Sequence, residues 1–185
     1  MFIKIKLCCI LIISLIILIF AFPQPFFQEP QALAESEEKY GPEQYEEVFT
    51  AVVNSFARFS SLINDVYYHK ESVYPVVTSA YNIKEATEYL KTGFQVDIAA
   101  NIANCYLGWD EELARLVVIP TDSIPLITNA DQQESSIVFI NENHAVLQRS
   151  YQKCYTEQDN YIYTIHVIRE ESGWKISELS LEETN

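Results

Sequence analysis

Between residues 43 and 68 the apolar side chains Tyr45, Val48, Phe49, Val52, Phe56, Phe59, Ile63, Val66 and Tyr67 return every three or four positions. That spacing gathers them on one face of an α-helix, predicted over about 43–68 after Gly41-Pro42. So aromatic a stripe is chiefly a core face that packs on a sheet, with a ligand-lining surface as the sharper alternative. A shorter helix is expected over 82–92, where Asn82 caps, Glu85 completes a capping box and Thr92-Gly93 ends the run. A third is expected from Asp97, as cap, to about Tyr106, with Ile98, Ile102 and Cys105 on one face and Gly108 closing the helical half.

From Leu116 the period changes. Short runs rich in β-branched and aromatic residues alternate with Asn, Asp, Gln and Gly clusters, which predicts an antiparallel meander with strands near 116–119, 136–140, 144–154, 161–169 and 174–181. Tyr161, Tyr163, Ile165 and Val167 interleave with Ile162, Thr164, His166 and Ile168, so this strand is apolar on both faces and belongs in the middle of the sheet. Trp174 and Ile176 share one parity while Leu179 and Leu181 share the other. One extra residue near Ser177-Glu178, a β-bulge, reconciles them. The expected class is α+β, with N-terminal helices packed on a curved antiparallel β-sheet in a cystatin-like or NTF2-like layout. That architecture serves enzymes, ligand binders and protein-binding modules alike, so it does not select a function.

The N-terminus bears on compartment. Lys4 and Lys6 precede an uncharged apolar run, Leu7 to Phe22, in the manner of an export signal. The run is shorter than the roughly 20 residues of a membrane-spanning helix. Residues 1–34 therefore read as a signal peptide, cleaved after the small-x-small site Ala32-Leu33-Ala34, or as a retained N-terminal membrane anchor, and 35–185 as a single exported domain, extracellular or associated with the cell wall. Cys8 and Cys9 lie at the start of the apolar run and not after it, the wrong place for lipid attachment. Removing 1–34 takes away Lys4, Lys6 and the single acid Glu29, leaving a formal charge one unit more negative than the −14 of the whole chain. Such a field disfavours nucleic acid and anionic surfaces as partners and favours rapid encounter with a basic protein. It also keeps an exported protein soluble, which is the blander account of the same charge.

Two cysteines remain, Cys105 and Cys154. In an oxidising compartment an even count predicts a disulfide, closing a loop of about fifty residues and stabilising the fold by roughly 4 kcal/mol in the chain-entropy account. Two reduced, buried thiols are the alternative, and a Cys nucleophile would need His69, His144 or His166 within reach. The three histidines lack His-x-x-x-His or Cys-x-x-Cys companions, and no glycine-rich phosphate loop is present. No metal or cofactor is expected. His166, mid-strand among apolar residues, reads first as a core histidine and second as a base in a sheet-lined pocket. Glu46-Glu47 and Glu170-Glu171 read as a solvated helix end and a turn.

The segment LVVIPTDSIPLI, residues 116–127, holds two β-type runs, each stopped by a proline, around Thr121-Asp122-Ser123. It follows the acidic run Asp110-Glu111-Glu112 at the crossover from helices to sheet, where loops on a rigid scaffold carry binding or merely stay solvated. From about Tyr89 to Leu181, roughly half the chain, the order is YLKTGFQVDIAANIANCYL, ELARLVVIPTDSIPLI, AVLQRSYQKCY, YIYTIHVIRE and WKISELSL. This resembles the IseA-type family of bacterial cell-wall DL-endopeptidase inhibitors, in which a leader and long helix precede a helix, Leu-Lys-x-x-Phe-Thr, helix stretch, a Pro-containing crossover and a terminal Trp-x-Ile strand. Gln95 stands where the family pattern has Thr, and the cysteine pair is not part of that pattern.

The resemblance implies an exported, non-catalytic protein that blocks NlpC/P60-type endopeptidases, enzymes that cut the stem-peptide bond between D-glutamate and diaminopimelate. What it carries over is the 116–127 crossover and the Trp174 strand, with no catalytic site. On this reading the crossover presents Asp122 beside Asp110, Glu111 and Glu112 as an acidic surface that occludes the cleft of a basic hydrolase. Two other classes remain open: an NTF2-like ligand-binding cone with an apolar cavity, and an exported module that docks a membrane complex through a retained leader.

Overall fold

The computed structural model describes residues 39–122, 124–153 and 160–184. Lys39–Asn185 forms one compact unit. The long helix α1, Pro42–Asn64, starts behind Gly41, whose amide donates to the Gln44 side chain. It buries Val48, Phe49, Val52, Phe56, Phe59 and Leu62, the stripe that its 3.6-residue spacing demands. α1 stops four residues before the expected end. The Asp65 backbone leaves the helix at φ −82°, ψ 81°, and its carbonyl accepts from the Thr78 amide and hydroxyl. Val66–Tyr67 becomes strand β1, paired with β2, Val76–Val77. Tertiary pairing overrides the helical spacing there, as β-branched and aromatic residues readily allow.

Helix α2, Ile83–Leu90, is capped by Asn82, whose Oδ1 accepts from the Glu85 amide at 3.0 Å. The Glu85 carboxylate reaches back one residue further than expected, to the Tyr81 amide at 2.9 Å. Helix α3 runs Val96–Tyr106 with Gln95 as its cap, and Asp97 lies in the first turn, where a carboxylate complements the helix dipole.

Two antiparallel sheets follow. The larger is a meander in the order β5-β6-β7-β8: Ser135–Asn141, His144–Tyr151, Tyr161–Glu170 and Gly173–Glu183. β7 is interior, as its two apolar faces required, and Tyr163, Ile165 and Val167 are its buried set. In β8 the register shifts between His166↔Glu178 and Val167↔Ile176, so Ser177 is the bulged residue expected from the change of parity. α1 covers the core face of this sheet: Phe56 meets Phe94 edge-on at 6.1 Å and Tyr163 at 6.2 Å, and Tyr45 meets Phe139 at 5.1 Å.

The expected 116–119 strand does not join the meander. It is β4, Arg115–Val118, in a separate sheet of order β1-β2-β4-β3, where β3 is Leu107–Asp110. β3 was not anticipated, because Leu107-Gly108-Trp109-Asp110 reads as the close of a helix. A four-residue turn with Ala114 at φ 49° folds it back on β4. A 3-10 turn, Asn129–Glu134, then leads into β5.

The helical half and the meander meet at Gly93. Its carbonyl accepts from the Ile176 amide at 2.9 Å and lies 3.0 Å from the Ser55 hydroxyl, which also sits 2.7 Å from the Ala51 carbonyl. The Gln95 amide donates to the Ile176 carbonyl at 2.8 Å, so residues 93–95 bind the free edge of β8. A Cβ on Gly93 would lie 2.4 Å from Ser55 Oγ and 2.9 Å from Ser55 Cα, and the latter belongs to the helix backbone and has no rotamer by which to yield. Gly93→Ala is therefore expected to destabilise the fold by about 1–3 kcal/mol through overpacking. Denaturant titration measures it, and an unchanged midpoint would show that α1 is not held against residue 93.

Candidate functional site

The β3–β4 hairpin is built on two anchors at opposite ends. At its base α3 passes directly into β3, and the Tyr106 side chain turns under the 116–127 crossover. Its hydroxyl donates to the Asp122 carbonyl at 2.8 Å and accepts from the Ile124 amide at 3.0 Å. The Tyr106 ring packs edge-on against Phe59 of α1, with centroids 4.8 Å apart, and burial raises the phenol pKa. Ile127, farther along the crossover, is buried in the core. The prolines thus mark a segment that leaves the sheet at Val118 and is tied down by side chains rather than by a ladder.

At the tip the brace is Asp110. Its Oδ1 accepts from the Leu113 amide at 3.0 Å, closing the turn, and its Oδ2 lies 2.9 Å from the hydroxyl of Ser72 in the β1–β2 loop. The Leu113 amide and then the Ser72 hydroxyl hold the Asp110 carboxyl below the usual carboxylate range. Glu111 and Glu112 beyond it are exposed. Ser72 also holds Tyr74 through that residue's amide and carbonyl, at 3.3 and 2.9 Å. The β1–β2 loop is thereby fastened to the tip, and it exposes 83% of Tyr68 and 88% of Val73; Trp109, in β3, is 52% exposed.

The expected acidic surface is redrawn by this geometry. Glu111 and Glu112 stand at the tip, and Asp110 is spent on bracing it. Asp122, expected beside them, is exposed but sits at the base, because Leu107 pairs with Val118 at one end of the hairpin and Asp110 with Arg115 at the other. About 10 Å of strand separates the two ends. The partners missed from sequence are Trp109, Tyr68, Val73, Ser72 and Tyr74. Tyr68 falls at the end of the helix expected over about 43–68 and Trp109 next to the Gly108 that closes the helical half, while Ser72, Val73 and Tyr74 lie in a stretch with no expected element. Cys105 is exposed and carries a free thiol, whereas its expected partner Cys154 lies outside the described residues.

Elsewhere the strands bring together two histidines read separately in the sequence. His144 Nε2 and His166 Nδ1 are 3.0 Å apart on the side of the meander away from the core, one imidazole donating to the other. His166 is therefore half-buried on the outer face and is not a core histidine. Among the described residues no group of three or more His, Cys, Asp or Glu side chains is placed to hold a metal. An open cleft of about 520 Å³ lies between the polar face of α1 and the β7–β8 turn, lined by Glu43, Glu46, Asn54, Arg58 and Trp174 among others. Its walls are largely polar and do not include His166.

Two outcomes follow. Tyr106→Phe keeps the Phe59 contact but releases Asp122 and Ile124, with an expected loss of about 1 kcal/mol and faster hydrogen exchange at the Ile124 amide. Unchanged exchange there would mean that the crossover is held by other contacts. For His144, burial and then the His166 ring depress the pKa below its ordinary 6.5, against an opposing pull from Glu178. The unfolded chain then binds the proton more readily, so this contribution is present above the unfolded value and is lost as pH falls through the folded one. Urea midpoints between pH 7.5 and 5 should fall more steeply for the parent than for His144→Gln, and parallel curves would contradict the assignment. Compared with known protein families, curated proteins and solved structures, the chain matches none.

Proposed function

We propose that this chain is an exported, non-catalytic protein that binds a basic cell-wall DL-endopeptidase of the NlpC/P60 type with its β3–β4 tip and covers the enzyme's substrate cleft. The observation that carries the reading is the braced tip itself. Asp110, Leu113 and Ser72 hold a turn that exposes Glu111 and Glu112 directly after the half-exposed Trp109, and Ser72 fastens to it a loop that exposes Tyr68 and Val73. Half-exposed Trp and Tyr side chains on a preorganised loop are the residues that anchor protein interfaces, because they bury much area at little entropic cost. The surrounding carboxylates and a net charge of −14 select basic partners and speed their encounter. The sequence resemblance supplies the enzyme class, and the leader-like residues 1–34 supply the compartment.

Division of labour between charge and aromatic gives a kinetic test. With purified endopeptidase immobilised, Glu111→Lys with Glu112→Lys should slow association by about tenfold or more at low salt and change dissociation little. Trp109→Ala should instead speed dissociation, with a loss of about 2 kcal/mol or more of binding free energy. Association that is insensitive to both charge reversal and salt would remove the tip from the interface.

A further inference from the structure

Among the described residues, the meander protects one of its two edges and leaves the other open. Along β8 the first half is bonded to residues 93–95, and the second half carries Glu178, Glu182 and Glu183, charges of the kind that keep strands apart. β5 has neither device. It is the opposite edge strand, and among the described residues no backbone group bonds to its outer side. Its residues Ser135 to Ile140 read Ser-Ser-Ile-Val-Phe-Ile, without a charge, a proline or a glycine. The register shift between Phe139 and Asn141 makes Ile140 the extra residue of a bulge, 46% exposed, so the straight part of the edge is Ser135–Phe139.

The flanking charges say what fits there. Glu134 precedes the strand and keeps 61% of its side chain exposed even in contact with Arg149. Glu142 follows it in an exposed turn. Two copies of the chain paired antiparallel along this edge would bring Glu134 of each toward the turn that carries Glu142 of the other, a gathering of like charge that disfavours self-association. A strand with the reverse pattern satisfies both ends at once. We propose that the free edge of β5, Ser135–Phe139, takes an extended segment of a partner protein as an added antiparallel strand, with an uncharged β-rich centre and a Lys or Arg at each end for Glu134 and Glu142. The straight edge Ser135–Phe139 spans about 13 Å, with Glu134 just before it and Glu142 in the hairpin turn just beyond the bulge, so an extended centre of about five residues with one or two basic residues at each end makes a segment of about seven to nine residues. Main-chain bonds supply the affinity and the terminal charges the selectivity, as in other cases of strand addition. The inference rests on the strand edge and is independent of the hairpin tip.

The probe is a blocked peptide, Lys-Lys-Thr-Val-Thr-Val-Thr-Lys-Lys, added to the isotope-labelled full chain, with amide exchange read residue by residue. Outward-facing amides within Ser135–Phe139 should exchange at least about tenfold more slowly with peptide bound, and the same peptide with Glu in place of Lys should give no protection at equal concentration. Glu142→Lys should weaken the basic peptide about threefold or more, leaving the fold intact because residue 142 lies in an exposed turn. Protection elsewhere, equal binding of the two peptides, or no binding at millimolar concentration would overturn the proposal. Concentration-dependent dimers protected along β5 would overturn the choice of partner in favour of a second copy.

Discussion

The junction at Gly93 is the contact on which the other elements depend. One carbonyl serves two elements, the β8 backbone through Ile176 and α1 through the Ser55 hydroxyl, and the absence of a side chain lets the chain lie against the helix backbone. Phe94, fully buried, follows immediately and meets Phe56. Because the bond to Ile176 comes just before the bulge at Ser177, β8 is anchored at the point where its register changes. Trp174 and Ile176 then face the core from one side of the bulge and Leu179 packs on it from the other. A sheet that bends at such a place lies across a straight helix without opening a gap.

From that frame the chain runs without a linker to the surface proposed to act. α3 ends at Tyr106 and β3 begins at Leu107, so the hairpin inherits the position of the helix. Tyr106 under the base, Asp110 in the tip and the pairing of β4 with β2 hold in place a hairpin that would be unstable by itself. The interior tolerates some unpaired polar atoms in exchange for packing: the Tyr163 hydroxyl and the Trp174 indole nitrogen are buried without a partner among the described residues. Each such group costs about 1–3 kcal/mol relative to a paired one. Aromatic contacts, Phe56 on Tyr163 and Phe139 on Trp174, surround both groups.

Elements whose signal is local were legible in the sequence. The α1 stripe, the Asn82 cap, the interior place of β7 and the bulge at Ser177 all follow from periodicity or from one side chain's bonding habit. Features made by long-range pairing were not. Val66–Tyr67 kept helical spacing until Val76–Val77 claimed it, and Leu107–Asp110 looked like a helix terminus until it folded onto Arg115–Val118. The same distinction holds at the surface. Acidic residues 110–112 were visible as a charge run, but the inward turn of Asp110, the displacement of Asp122 to the far end of the hairpin and the approach of Ser72 across 38 residues of chain required the fold. The His144–His166 contact belongs to this second class, since a diagonal pair across two strands depends on register alone.

The central claim is that a rigid acidic and aromatic tip blocks a hydrolase without being turned over. Hydrolysis of purified peptidoglycan by a DL-endopeptidase of the NlpC/P60 type, followed while this protein is titrated in, tests it most directly. The account predicts that activity falls in proportion to added protein and reaches its minimum near one equivalent, with the added chain recovered intact. Hydrolysis that continues at its initial rate with the protein in excess, or that consumes the protein as a substrate, would contradict it.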